Sequence, residues 1–447
     1  MSSQETIFAL SSPWGVGGVA VIRVSGPQAL PVLKQLTGGR DPVMRRAVPL
    51  ILRDPADGHL LDHALTIAFK GPASFTGEDV VEYHVHGGRA VVADMLRVLS
   101  ACEGYRLAEA GEFTRRAFEN GKLDLTRAEA IGDLIHAETE AQKAQALSQM
   151  EGHLADLYDG WRDKLIRILA HLEADLDFPD EDLPEGVSQE AIKAIGALSS
   201  AIDDHLNDNR RGERLRDGFH VVVIGAPNAG KSSLVNALAQ RDVAIVSDIA
   251  GTTRDIVEVH LNIGGFPVIL SDTAGLRPDQ IGQEGHDAIE GEGIRRALQR
   301  AEMADIRILL FDGPEEVPDK HTMALMNKEA IVAFNKCDLV KPCIDGMDGA
   351  LYLSTKTGLG LGQLTETIRE KICALVGTSQ TPSLTRERHR IALQECLNCL
   401  DRSCAAVLPE LMAEDIRLAV RALGRITGRV DVEDLLDIIF RDFCIGK

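Results

Sequence analysis

The 447-residue chain lacks any excess of positive charge: 68 acidic side chains stand against 48 basic ones, a formal net charge of −20. A large face that grips nucleic acid by charge alone is thereby argued against, and any RNA partner needs help. Long apolar runs are missing too. No stretch approaches the roughly 18 consecutive apolar residues of a membrane-spanning helix, so no membrane partner is expected. The first basic residue is Arg23, which leaves no basic start for a secretory signal and points to a cytoplasmic protein. The eight cysteines show no paired zinc-type spacing; Cys396 and Cys399 form a C-x-x-C inside a helical pattern and read as reduced, helix-face residues. Internal repeats and low-complexity tracts are absent.

With 45% apolar and 26% charged residues the composition is that of a globular protein. The length allows two to four domains at roughly 100 to 200 residues each. Up to residue 120 short apolar runs alternate with Gly and Pro. Ile7–Leu10, Val19–Val24, Ala64–Phe69 and Val80–Val85 have strand length, while Gln28–Leu36 and Ala90–Leu99 read as helices. An α+β domain over residues 1–120 is predicted. Residues 121–213 become helical, with Leu154, Leu157, Tyr158, Trp161, Leu165, Ile168, Leu169 and Leu172 on one stripe, before the acidic stretch Glu173–Glu185, read as a solvated turn. Residues 214–378 switch to buried strands alternating with helices: Phe219–Ile224, Val268–Leu270, Ile306–Phe311 and Ile331–Phe334. Helical periodicity resumes over 379–447, after a linker near Gly377–Ser383, and ends in the tail Cys444–Lys447. The α/β segment is therefore predicted to be an insertion into a helical bundle domain.

The chemistry is densest in that insertion. Directly after the strand Phe219–Ile224 comes Gly225-Ala226-Pro227-Asn228-Ala229-Gly230-Lys231-Ser232, a full G-x-x-x-x-G-K-S followed by Ser233. Such a loop closes backbone N–H groups around a phosphate, with Lys231 supplying charge and Ser232 a hydroxyl for Mg²⁺. Asn335-Lys336-Cys337-Asp338 follows a strand downstream. A carboxylate at Asp338 accepts from the two adjacent N–H groups of guanine, whereas adenine leaves it unpaired. Asp272-Thr273-Ala274-Gly275, Gly251-Thr252-Thr253-Arg254-Asp255 and Ser354-Thr355-Lys356 complete the set, with Asp272 and Thr253 serving Mg²⁺. The five elements predict a Ras-like P-loop GTPase. Leu276 occupies the place where Ras-like enzymes carry a water-orienting Gln, so another group must hold the water. Asp279, Glu284, Asp287, Glu290 and Glu292 are the acids within the following stretch, and chemistry alone does not choose between them.

The whole chain resembles the MnmE (TrmE) family of tRNA modification GTPases. The resemblance is carried by the phosphate loop with Asn228, Asp248-Ile249-Ala250-Gly251-Thr252-Thr253-Arg254-Asp255, Ser74–Asp79 with His86-Gly87-Gly88, Lys122-Leu123-Asp124-Leu125 and the tail Cys444-Ile445-Gly446-Lys447. It implies a G domain inserted into a helical domain, and an N-terminal folate-binding-like domain that forms a homodimer. It further implies action with an FAD-dependent partner, which holds most of the tRNA, on C5 of the wobble uridine. There an aminomethyl-type group would be added from a tetrahydrofolate derivative in its 5-formyl or methylene form. By the same resemblance Asn228, Ser247, Ile249 and Thr252 would hold K⁺ against the phosphates of GTP, and Glu290, with Glu292 as the alternative, would activate water. Arg23, Glu82, Lys122 and Lys447 would hold the folate, with Cys444 near its reacting carbon. Val16 stands in the turn Gly15–Gly18 where the family often has a basic residue. Two other classes compete: a GTPase switch in ribosome assembly, which predicts a basic appendage absent here, and a scaffold-like folate binder with a degenerate G domain, which the intact Lys231, Ser232, Asp272 and Asp338 oppose.

Overall fold

The computed structural model describes residues 5–177, 187–240, 258–272, 303–313, 320–327, 329–340, 349–377, 382–430, 432–441 and 443–446. The chain forms two compact units: one from Met1–Gly132, Gln149–Leu183 and Ala406–Lys447, the other from Asp133–Ser148 and Pro184–Ala405.

The first unit is built on a six-stranded sheet of β1 (Thr6–Leu10), β2 (Gly17–Ser25), β3 (Val48–Arg53), β4 (Leu60–Phe69), β5 (Val80–Gly87) and β6 (Tyr105–Leu107), in the order β3-β4-β5-β2-β1-β6. Pairing is antiparallel except between β1 and β6. Strand alternation sorts the side chains. Ile22 and Val24 of β2 and Val81, Tyr83 and Val85 of β5 join a core closed by Val32, Leu33 and Leu36 of the helix Ala29–Leu36 and by Val92, Met95 and Leu99 of the helix Arg89–Ser100. Each such burial contributes roughly 1.5 to 3 kcal/mol before the cost of ordering the chain. Arg23, Glu82 and His84 are the intervening residues, so one sheet face presents them together, Arg23 in register with Glu82. On that face Ile7, Ala9, Ala108 and Phe113 form a small cluster of their own. The helical stripe is one helix, His153–Asp177, packed on Pro409–Thr427; Leu154, Tyr158, Trp161, Leu165, Ile168 and Leu172 are buried. Glu173–Asp177, read above as the start of a turn, continue that helix. The remainder of the acidic stretch lies outside the described residues.

The second unit carries the α/β element. Its strands are β7 (Phe219–Ile224), β8 (Glu258–Ile263), β9 (Phe266–Asp272), β10 (Ile306–Asp312), β11 (Ile331–Asn335) and β12 (Leu351–Tyr352), in the order β12-β11-β10-β7-β9-β8. All pairs are parallel except the β8/β9 hairpin. Continuous apolar runs in β7 and β10 fit strands covered on both faces. One face packs Leu234, Val235 and Leu238 with Leu364, Ile368 and Ile372 of the helix Leu361–Val376; the other packs Val222, Ile224, Leu309, Phe311 and Phe334. The chain enters and leaves this element at one place, since a Cβ on Gly212 would lie 2.1 Å from the carbonyl oxygen of Leu384. Around the junction Asp133 accepts from both Arg216 (3.0 Å) and Arg386 (2.7 Å), and Arg390 pairs with Glu213 and Asp208 at 3.0 Å. The helices Val187–Leu206 and Glu387–Ala405 pack together beside it. Cys396 and Cys399 are buried on the latter helix, and burial pushes the Cys396 thiol up to about 12. Among the described residues no cluster of His, Cys, Asp or Glu fits a metal ion, and no helix is long and apolar enough to cross a membrane.

Candidate functional site

The loop after β7 has no room for larger residues. A Cβ at Gly225 would stand 2.2 Å from the carbonyl oxygen of Leu310, and one at Gly230, where φ is +95°, would stand 2.2 Å from Asn335 Nδ2. Asn228 at the loop apex adopts φ +67°, a conformation that Asn tolerates better than most residues. Lys231 opens the helix Lys231–Ala239, is 8% exposed, and donates from Nζ to the carbonyls of Gly225 and Ala226 at 2.9 Å each. A positive charge thus lies inside a ring of backbone at a helix N-terminus, the arrangement that attracts phosphate. Ser232 and Ser233, in the same first turn, are exposed, and the Ser232 hydroxyl suits a divalent cation beside that phosphate.

The base side is tied to this loop. Asn335 ends β11, is 1% exposed, donates from Nδ2 to the carbonyl of Ala229 (2.9 Å), and accepts on Oδ1 from the backbone N–H of Thr355 (3.2 Å). One side chain therefore buckles the phosphate loop to the loop that holds Ser354, Thr355 and Lys356. Lys336, at φ +59°, pairs with Asp312 at the end of β10. Ser354 donates from Oγ to Asp338 Oδ1 (2.7 Å) and accepts from the N–H of Thr357 (3.2 Å). The Ser354 hydroxyl holds the Asp338 carboxyl below the usual Asp range, with Lys356 adding to the effect, so the group is ionised and ready to accept. Ser247, Asp248, Ile249, Ala250, Gly251, Thr252, Thr253, Thr273, Ala274, Gly275, Glu290, Glu292 and Lys447 lie outside the described residues, as does the side chain of Asp272.

In the first unit the residues expected to face a folate fall into two groups. Arg23 and Glu82 are paired, Nε to Oε1 at 3.1 Å and Nη2 to Oε1 at 3.0 Å, and the guanidinium lies 5.7 Å from the ring centroids of both Phe75 and Phe113. Phe75 belongs to the segment Ser74–Asp79, anchored by Ser25 Oγ to Thr76 Oγ1 and to Glu78 Oε2, both 2.7 Å, and by the ion pair of Glu78 with buried Arg116. Lys122 is exposed just after Asn120, whose amide donates to the Thr76 carbonyl at 2.7 Å. The tail also docks here: Ile445 bridges Ala110, Ser11 donates to the Gly446 carbonyl at 2.9 Å, and Leu10, beside Gly446, is paired with Ile22 next to Arg23. Cys444 is exposed. Sequence reasoning passed over Asp312 and Phe113, which carry no motif of their own. Phe75 was legible only as part of Ser74–Asp79.

The MnmE helical domain family matches residues 125–444, and the family of the N-terminus of the GTP-binding protein TrmE matches residues 6–122. The tRNA modification GTPase MnmE of Parvibaculum lavamentivorans is 54% identical over 447 residues, covering 99% of this chain and all of that one. The chain belongs to the MnmE family of tRNA modification GTPases. The MnmE proteins of Rhodospirillum rubrum, 53% identical with 99% of both chains covered, and of Rickettsia rickettsii, 46% identical with 99% of this chain and all of that one covered, are further relatives. As an MnmE family member the protein is a GTPase of tRNA modification.

Proposed function

We propose that this chain couples GTP hydrolysis to the addition of an aminomethyl-type group at C5 of the wobble uridine of certain tRNAs. It would act as a homodimer in the cytoplasm, with an FAD-dependent partner that carries most of the tRNA contact. The observation that carries the nucleotide half is Asp338, ionised and held at one oxygen by Ser354, while Asn335 fixes the base loops to the phosphate loop. GTP would lie with its phosphates over Asn228–Ser233 and its base at Asn335, Lys336, Asp338 and Ser354–Lys356.

Mg²⁺ would be held by Ser232 and Thr253, with Asp272 behind a water, and K⁺ by Asn228 with backbone groups of Ser247, Ile249 and Thr252. Cations there neutralise charge that grows on the phosphates during transfer. In this chain Lys231 binds and orients the β/γ-phosphates, and Glu290 positions the attacking water. A tetrahydrofolate derivative would use Arg23, Lys122 and Lys447 for its carboxylates and Glu82 for its amide and amine edge. When bound it supplies a one-carbon unit, and Cys444, exposed on the docked tail, serves as nucleophile or acid–base group. The negative charge of the chain supports leaving the tRNA mainly to the partner.

Isothermal titration with 5-formyltetrahydrofolate tests the folate half. Arg23→Ala and Glu82→Ala should each weaken binding at least ~10-fold, since each removes a charge-assisted contact. GTP turnover should be unchanged. No binding by the wild-type protein would refute this half.

A further inference from the structure

Strand alternation sets Glu82 and His84 on the same face of β5, with Val21 and Leu65 opposite His84, and Arg23 and Ile67 opposite Glu82. Arg23 occupies only one oxygen of the Glu82 carboxylate, Oε1, through two of its nitrogens. That end is held further, because the guanidinium lies over both the Phe75 and the Phe113 ring, 5.7 Å from each centroid. The other oxygen, Oε2, lies 3.6 Å from His84 Nε2. The imidazole nitrogen is itself shut off from solvent and has no hydrogen-bond partner. A buried nitrogen without a partner costs stability, and a rotation of either side chain that closes the gap to about 3 Å removes the cost.

We propose that His84 is a positioning residue: its Nε2–H fixes the free oxygen of Glu82, so that the carboxylate plane is set by Arg23 at one end and His84 at the other. An ionised carboxylate has about four acceptor sites. With one donor on each oxygen, capacity remains on both for a ligand edge that presents two adjacent N–H donors, an amide N–H beside an exocyclic amine. Without His84 the carboxylate pivots about its Arg23 end, and the two ligand bonds cannot both stay short. The role rests on the reading of this face as the folate site and adds the residue that orients the edge-reading acid.

The test uses the full-length protein and 5-formyltetrahydrofolate. His84→Leu should weaken binding about 10-fold, the scale of one hydrogen bond to a charged group. His84→Gln, whose side-chain amide can donate from a similar place, should restore affinity to within about 3-fold. GTP turnover and melting temperature should stay unchanged in both. Wild-type affinity in His84→Leu, or a Gln variant as weak as the Leu variant at unchanged melting temperature, overturns the role. Nitrogen-15 spectra of labelled histidines in the ligand-free protein give an independent reading. The His84 Nε2 signal should be that of a protonated nitrogen and should move in Glu82→Gln; an indifferent signal overturns the role. If that signal moves while the wild-type protein binds no folate, the folate reading fails and the His84–Glu82 contact stands.

Discussion

Asp338 shows how much a single carboxylate decides. One oxygen is engaged by Ser354; in the proposed nucleotide site the carboxylate would accept from guanine's N–H groups, and an adenine there would offer no donor at the matching position. Asp338→Asn turns an acceptor into a donor facing guanine's own donors. GTP affinity should fall by ~100-fold or more, with preference moving to xanthine nucleotides, as measured by competition binding. Unchanged GTP affinity would contradict the base-reading role. Asp338 was legible as a candidate because N-K-x-D has a fixed spacing behind a strand. The buckle formed by Asn335 was not, because its partner Ala229 follows β7, and β10 lies between β7 and β11 in the sheet. No local pattern reports a contact made across an intervening strand. The same holds for Phe113, which reaches Arg23 only because the helix Glu112–Glu119 packs on that sheet face.

At the level of elements, the strands the sequence showed and those it hid differ in position. Both edges of the first sheet, β3 and β6, and both edges of the second, β8 and β12, escaped the pattern reading, whereas every central strand was found. Edge strands are half solvated: β3 alternates the exposed Pro49, Ile51 and Arg53 with half-buried Val48 and Leu50 and buried Leu52, and β8 mixes Glu258, His260 and Asn262 with its apolar residues. Short length hid β6 and β12. Two predictions belong here. Gly446 has φ +99°, and a Cβ on it would stand 2.4 Å from the carbonyl oxygen of Leu10. Gly446→Ala should undock the tail, at a local cost of about 1 to 3 kcal/mol. Hydrogen exchange at the Gly111 amide, which donates to the Cys444 carbonyl, should quicken while GTP turnover is unchanged; retained protection would show that the tail is held otherwise. His205, near the end of the helix Val187–Leu206, has its imidazole pushed down to about 4 by burial, with Arg211 and Arg390 adding and Asp208 opposing. The unfolded chain takes up this proton near pH 6.5, and the folded one resists until about 4. Between those values the unfolded state binds more protons, so this contribution to stability is complete above pH 6.5 and is lost as pH falls towards 4. Thermal melts across that window should show the slope, and His205→Asn should flatten it; an equal slope in the variant would assign it to other groups.

For the molecule as a whole, the −20 charge argues against a large face that grips nucleic acid by charge alone. Leu276 where a water-orienting Gln would stand, and Asn228 at the apex of the phosphate loop, together motivate a monovalent cation as part of the hydrolytic machinery. Turnover should be faster in K⁺ than in Na⁺ at equal ionic strength, since Na⁺ is too small for a cage sized to K⁺; equal rates would refute the cation role. The most direct test of the central claim, that GTP hydrolysis here serves tRNA modification, is mass spectrometry of wobble uridines in tRNA from cells lacking this protein. The C5 modification should disappear, return with the wild-type chain, and stay absent with Lys231→Ala. Unchanged C5 modification in the deletion cells, or full restoration by Lys231→Ala, would contradict the account.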